Sequence, residues 1–246
     1  MKKEWFRDYF NELYGNVILD SIQPSYTLNQ VKFVEEALQP NPGASILDLF
    51  CGKGRHTLVL AKKGYNLTAI DFVPSFIQAL QESAQKEQCP VDAICMDARQ
   101  IQYHNQFDHI LVLFTSFGYF SDQENADLLS AIRTSLKPGG TCMIDVENRD
   151  YLLRFFCKEK WRKKEYGWLL ERNRFYQKTS HQRTVRVIID RQGNSTTSER
   201  ILRLYAEHEI LSLGHQVGFK TIKVYGDYDG SISKSLSPRI IAVFKK

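Results

Sequence analysis

Between residues 45 and 146 short apolar runs alternate with amphipathic stretches, and this rhythm limits the chain to very few architectures. Ser45–Phe50 is an apolar strand, followed by a helix from about Arg55 to Lys63 that Gly64 closes. Tyr65–Ile70 is a second strand. Pro74 then opens a helix with Phe76, Ile77, Leu80 and Ala84 on its inner face. Val91–Met96 and Phe107–Phe114 are the third and fourth strands, the latter apolar enough to be buried on both sides. A helix capped by Ser121 or Asp122 runs to Leu136, stops at Lys137-Pro138-Gly139-Gly140, and gives way to a fifth strand, Thr141–Val146. Strands alternating with helices predict a parallel sheet covered on both faces.

The ends depart from this rhythm. Residues 4–14 carry aromatics at helical spacing, and 27–38 read as a second helix stopped by Asn41-Pro42-Gly43. After Asn148, residues 151–180 are basic and aromatic without clear periodicity. Thr184–Asp190 and Ser198–Tyr205 alternate like strands about a turn at Arg191–Asn194, which predicts an antiparallel flap inserted into the α/β core. Ala206–Val217 returns to helix, and Phe219–Tyr225 and Ile240–Lys245 are the last strands, separated by an acidic loop at Gly226–Gly230 that reads as solvated, or with its aspartates at the pocket mouth. The expected organisation is 1–149 for the N-terminal helices and ligand-binding core, 150–205 for the flap, and 206–246 for the rest of the core.

At 246 residues the chain can bury a sizeable core. Its 5 cysteines are odd in number and form no C-x-x-C pair, so neither a disulfide framework nor a metal site is expected, and a reducing, cytoplasmic setting fits. The start has no signal-peptide pattern and no run reaches bilayer length, so no membrane partner is expected. A net charge of +5 permits an anionic partner without demanding one.

The chemistry concentrates at Asp48-Leu49-Phe50-Cys51-Gly52-Lys53-Gly54. Glycines at 52 and 54 permit a tight turn and close approach of backbone to a ligand. The following helix offers free N–H groups there, and open α/β sheets bind ligands at the carboxyl ends of their strands. A dinucleotide would call for G-x-G-x-x-G, but the third glycine position is Thr57, and a bare G-x-G is weak for any cofactor.

The whole segment resembles the first motif of the class I S-adenosylmethionine (SAM)-dependent methyltransferases, and the resemblance stays in register through Asp71, Met96-Asp97-Ala98-Arg99, Leu113–Phe120 and Leu136–Gly140. It implies a Rossmann-like fold with a seven-stranded, mostly parallel sheet whose last two strands form a reversed pair. It also implies SAM as cofactor, held by Tyr26, Asp48, Phe50, Cys51, Gly52, Gly54, Asp71, Phe72, Asp97, Ala98, Arg99 and Phe114. Asp71 would accept from the two ribose hydroxyls and Asp97 from the adenine amine, since an ionised carboxylate only accepts. Asp48 would brace the glycine loop or meet the cofactor's ammonium group. Aromatic faces favour a sulfonium cation, and Tyr14, Tyr26, Phe50, Phe114 and Tyr119 are available.

Tyr119 and Glu147 are the catalytic candidates. Glu147 and Asn148 end the fifth strand and so would face the acceptor; Glu147 reads as a general base, an amine-binding carboxylate, or a plain salt-bridge partner. Cys51 reads as a packing residue, and His56 as a ligand contact or a surface histidine. The basic, aromatic stretch 154–186 reads as a lid over a small-molecule acceptor, with an RNA platform as the alternative. A non-catalytic SAM-binding module is the third reading. No metal is required, because the methyl donor is already activated; oligomeric state is not legible.

Overall fold

The computed structural model describes residues 4–246; residues 1–3 of the expected first segment lie outside the described residues. Its main sheet has seven strands: β1 (Ser45–Leu49), β2 (Asn66–Asp71), β3 (Val91–Cys95), β4 (Phe107–Val112), β5 (Leu136–Glu147), β10 (Lys220–Tyr225) and β11 (Arg239–Lys245). Their order is β10-β11-β5-β4-β1-β2-β3, and β11 runs antiparallel to both its neighbours while the other pairs are parallel. The order reverses between β1 and β4, where two chain directions leave a crevice at the strand ends.

Two-residue alternation sorts the strands' side chains onto opposite faces. Leu47, Leu49, Ile110, Val112 and Ile144 pack with Leu128 and Ile132 of helix α6 (Asp122–Ser135) and Ile210 of α8 (Glu207–Gln216). Ile46, Leu111, Leu113 and Met143 pack with Val31 and Val34 of α3 (Pro24–Leu38) and Leu60 of α4 (Arg55–Lys62). Helix α5 (Pro74–Lys86) completes that second layer through Ile77 and Leu80 against Ala69. The α6 start carries a full capping box between Ser121 and Glu124.

The N-terminal stretch is not one helix. It breaks into α1 (Trp5–Tyr9), α2 (Glu12–Tyr14) and a wide turn over Gly15–Leu19, because Asn11 caps the Tyr14 amide and restarts the chain. Gly15 then passes so close to α5 that a Cβ would sit 2.6 Å from the Phe76 ring.

The flap is larger than the sequence suggested. It is a four-stranded antiparallel sheet of β6 (Glu159–Lys164), β7 (Gly167–Tyr176), β8 (His181–Asp190) and β9 (Ser195–Arg203), joined to β5 through the short helix α7 (Arg149–Arg154). It is anchored where the Arg203 amide donates to the Gly118 carbonyl at 2.9 Å, and where Asn148 bridges to Tyr205. A Cβ on Gly118 would lie 2.5 Å from the Arg203 carbonyl, so the approach needs glycine. None of the described helices is long and apolar enough to cross a membrane.

Candidate active site

At the end of β1 the chain turns through three left-handed residues, Phe50 (φ 65°), Gly52 (φ 57°) and Gly54 (φ 75°). The two glycines do different work. A Cβ on Gly54 would fall 2.3 Å from a Leu80 methyl, so this glycine lets α5 close on the turn and does not line the cavity. Gly52 faces the cavity, where a Cβ would meet only the Leu19 methyl at 3.3 Å.

Asp71, ending β2, fastens this turn. One carboxylate oxygen accepts the Gly52 amide at 2.9 Å and the other the Val73 amide at 3.0 Å. The carboxylate also lines the cavity. Burial raises the Asp71 pKa to about 6 despite those amides. Asp48 is also pushed up to about 6 by burial, opposed by the Thr57 hydroxyl that donates to it at 2.6 Å. It therefore braces the start of α4 while still lining the cavity.

Sequence reasoning missed Arg55. A cation in the first turn of a helix opposes the dipole, and that misplacement was the available signal. Arg55 donates to Thr27 and Gln30 through one nitrogen, at 3.0 and 2.5 Å, and its guanidinium lies 4.7 Å from the Phe114 ring centroid. Its second terminal nitrogen is buried without a hydrogen-bond partner among the described residues, and so is the Gln30 amide nitrogen. His56 is not a surface residue. It is 5% exposed, shares the Gln30 oxygen at 3.0 Å, and burial beside Arg55 holds its pKa well below normal. Cys51 lines the same wall, and burial beside Asp48 and Asp71 pushes its thiol far up, which makes it a packing group.

Of the expected cofactor contacts, Asp48, Phe50, Cys51, Gly52, Asp71, Phe72 and Phe114 line one cavity. The structure does not bring the others there. Tyr26 is 41% exposed and lines neither this cavity nor its neighbour. Asp97, Ala98 and Arg99 also lie off the lining. Asp97 accepts three hydrogen bonds from Arg99 and one from Arg7, which fills its acceptor positions. Burial works to raise its pKa, but the Arg99 hydrogen bonds outweigh it and hold the carboxyl below the usual value. An amine could reach Asp97 only by displacing one of these arginines.

A second chamber of about 420 Å³ lies between the main sheet's edge and the flap. Phe10, Tyr14, Phe114 and Tyr119 line both spaces, so among the described residues the two share a wall of four aromatic rings. Tyr119 donates to the Thr115 carbonyl at 2.6 Å, and burial drives its pKa far above normal, so it stands as a neutral phenol. Glu147 opens into the chamber 3.7 Å from Arg200, and one of its oxygens has no hydrogen-bond partner among the described residues. Asn148 does not face the acceptor side. It is 3% exposed, donates to the Ser237 carbonyl and caps α7, because the C-terminal segment runs beside it.

Asp145 of β5 is a further group the sequence did not reveal. It is fully buried, and it accepts from the Phe114 amide at 2.8 Å, the Tyr228 hydroxyl at 2.5 Å and the Arg239 guanidinium at 2.8 Å. It pins two consecutive left-handed residues, Phe114 (φ 59°) and Thr115 (φ 60°), in the wall between the cavities. The loop at Gly226–Gly230 is thus not simply solvated, since its Tyr228 is the buried partner of Asp145.

Residues 46–140 match a family model described as a methyltransferase domain. The chain is 24% identical over 219 residues to a glycine/sarcosine N-methyltransferase of Aphanothece halophytica, covering 87% of this chain and 81% of that protein. It is 30% identical over 119 residues to the putative methyltransferase YqeM of Bacillus subtilis, covering 48% of this chain and 47% of that protein, so the match spans about half that relative's length. A crystal structure of an S-adenosylmethionine-dependent methyltransferase from Clostridium acetobutylicum superposes with a TM-score of 0.82 at 18% identity, covering 98% of both chains.

Proposed function

We propose that this chain is a class I SAM-dependent methyltransferase, a reading supported by the methyltransferase-domain match over residues 46–140, and that it transfers the SAM methyl group to a nitrogen or oxygen of a small-molecule acceptor held between the main sheet and the flap. The observation that carries this reading is the pair of cavities meeting at Phe10, Tyr14, Phe114 and Tyr119. One space is lined by the glycine turn and Asp71, the other by the flap, and they adjoin only where aromatic faces favour a cationic sulfur.

The residues of the first space suit the cofactor. Gly52 leaves a cradle that a Cβ would fill, the Asp71 carboxylate on the cavity wall is an acceptor suited to vicinal hydroxyls, and the unpartnered Arg55 nitrogen suits a carboxylate. Asp48 is the anion available to an ammonium group. When bound, SAM supplies an already activated methyl group. The protein's tasks are then to orient the acceptor, exclude water, and take a proton where the nucleophile carries one. Glu147, at the end of β5 and inside the second chamber, is the group placed to take it, while Tyr119 shapes the passage with its ring.

The chamber also weighs against an RNA platform. Arg186 turns inward onto Glu171, while Lys160, Arg162 and Lys164 line the chamber from the exposed strand β6. The outward flap face still carries Trp161, 70% exposed and 5.5 Å from Trp168 between ring centroids, so the alternative keeps one concrete feature. Incubation with tritiated SAM and, separately, a metabolite pool and total RNA decides between them. Label in small molecules supports the proposal. Label in RNA replaces it, and tight SAM binding with no product in either pool indicates a binding module.

A further inference from the structure

The flap presents a polar face to the chamber, and its register shows that this is built into the strands. Asn173 of β7 stands opposite Thr184 of β8, which stands opposite Arg200 of β9; one step along, Glu171 stands opposite Arg186. Inward positions of a sheet lying over a core are normally apolar, so ionic groups there are costly unless something offsets them. Some are satisfied internally. Arg186 donates to Glu171 at 2.8 Å, and Thr184 donates to Asn173 at 2.8 Å.

Others are not. Among the described residues, five buried polar atoms on residues that line this one chamber have no hydrogen-bond partner: a terminal nitrogen of Arg186, the Nε of Arg200, the Tyr166 hydroxyl, the Gln182 oxygen and one Glu147 oxygen. Native interiors leave few such groups, so a cluster of them around one space marks what a ligand must supply. The set is two-sided. The two arginine nitrogens are donors only and call for a negatively charged acceptor atom. The Glu147 and Gln182 oxygens are acceptors and call for N–H or O–H groups. The chamber's charge leans the same way, with six basic residues lining it against Glu147 and Glu171.

We propose that the methyl acceptor is an anionic amino or hydroxy compound, a carboxylate or phosphate monoester, whose anion is held by Arg186 and Arg200 and whose N–H or O–H is held by Glu147 and Gln182. This specificity rests on the function proposed above and names its substrate class. The anion sits against the flap, and the nucleophile is turned toward β5 and the aromatic passage.

The test uses the full chain saturated with S-adenosylhomocysteine, whose own binding is followed by calorimetry in the same sample. Small amino and hydroxy carboxylic acids, their neutral primary amides and the matching phosphate monoesters are compared by ligand-observed NMR titration. The acids or the phosphates should bind roughly tenfold or more tightly than the amides, as a charge-assisted bidentate contact requires. Which of the two classes binds more tightly identifies the anion. Arg200→Met should abolish that preference while leaving amide binding in place, and Arg200→Lys should retain part of it. A merely structural arginine would weaken acids and amides alike. Acids and phosphates that bind no better than amides, or not at all, overturn the proposal. Failure of the nucleoside itself to bind overturns the function beneath it, and calorimetry separates the two results.

Discussion

The Asp71 carboxylate accepts the Gly52 amide across 2.9 Å, and so one side chain both fastens the glycine turn and faces the cavity it forms. Asp71→Ala should therefore weaken SAM binding by roughly 1.5–3 kcal/mol, the range for hydrogen bonds to a charged group. It should also lower thermal stability, since the Gly52 and Val73 amides lose their acceptor. Asp71→Asn keeps one acceptor oxygen and should fall between wild type and alanine in both respects. Calorimetry and a melting curve on each variant check this; unchanged affinity in a folded alanine variant would remove the ribose assignment.

Arg55 should distinguish the two ends of the cofactor. Its unpartnered nitrogen is assigned to the amino-acid carboxylate, so Arg55→Met should weaken SAM on the order of tenfold or more, the worth of one charge-assisted contact. Methylthioadenosine, which lacks that carboxylate, should bind the variant and the wild type alike. Equal losses for both ligands would mean that Arg55 only supports the fold.

The two buried aspartates give a pH dependence with opposite signs for folding and for binding. Asp48 and Asp71 both titrate near 6 in the folded chain, above the ordinary 3.8. Between those values the folded state holds more protons than the unfolded one, so their contribution to the unliganded fold is greatest at low pH and is lost as pH rises through about 6. Cofactor binding needs the carboxylates as acceptors, so SAM affinity should fall as pH drops below about 6. Asp48→Asn should raise the melting temperature of the unliganded chain at pH 8 and flatten its acid dependence, while weakening SAM. A variant no more stable than wild type at that pH would contradict the burial penalty assigned to Asp48.

Asp145 holds the wall between the two cavities, and its loss should be felt globally. Asp145→Ala leaves the Arg239 charge largely buried without its partner, which costs roughly 3–5 kcal/mol. Tyr228→Phe removes one hydrogen bond and should cost about 1–2 kcal/mol. Urea unfolding of the two variants gives the ordering, and an alanine variant as stable as wild type would show that the network contributes nothing.

The parts of this fold that the sequence disclosed are those whose pattern is written in apolar residues. Strands β1 to β5 alternate between two helix layers, and their hydrophobic runs are legible because both faces are dry. Strands β6 and β7 were not legible for the opposite reason. The inward positions of β7 include Glu171 and Asn173, which line a polar chamber, while Trp168 and Leu170 point outward. The two-residue period is present there, but its polarity is reversed.

The site divided along the same line. The glycine turn, Asp48 and Asp71 were visible because Asp48 lies in β1, the turn follows that strand at fixed spacing, and Asp71 ends β2. Arg55, Asp145 and the flap's inward arginines depend on partners far along the chain, such as Gln30 for Arg55 and Tyr228 for Asp145, and no local pattern connects them. Asp97 follows the expected third strand, and its pairing with Arg99 and Arg7 is a contact that register alone does not disclose.

Titration of the full chain with S-adenosylhomocysteine and, in parallel, with NAD is the most direct test of the cofactor site. One nucleoside should bind per chain, Gly52→Val should abolish the heat while the chain stays folded, and NAD should give none. Binding of NAD with no response to S-adenosylhomocysteine, or a Gly52→Val variant that binds as wild type does, would contradict the account.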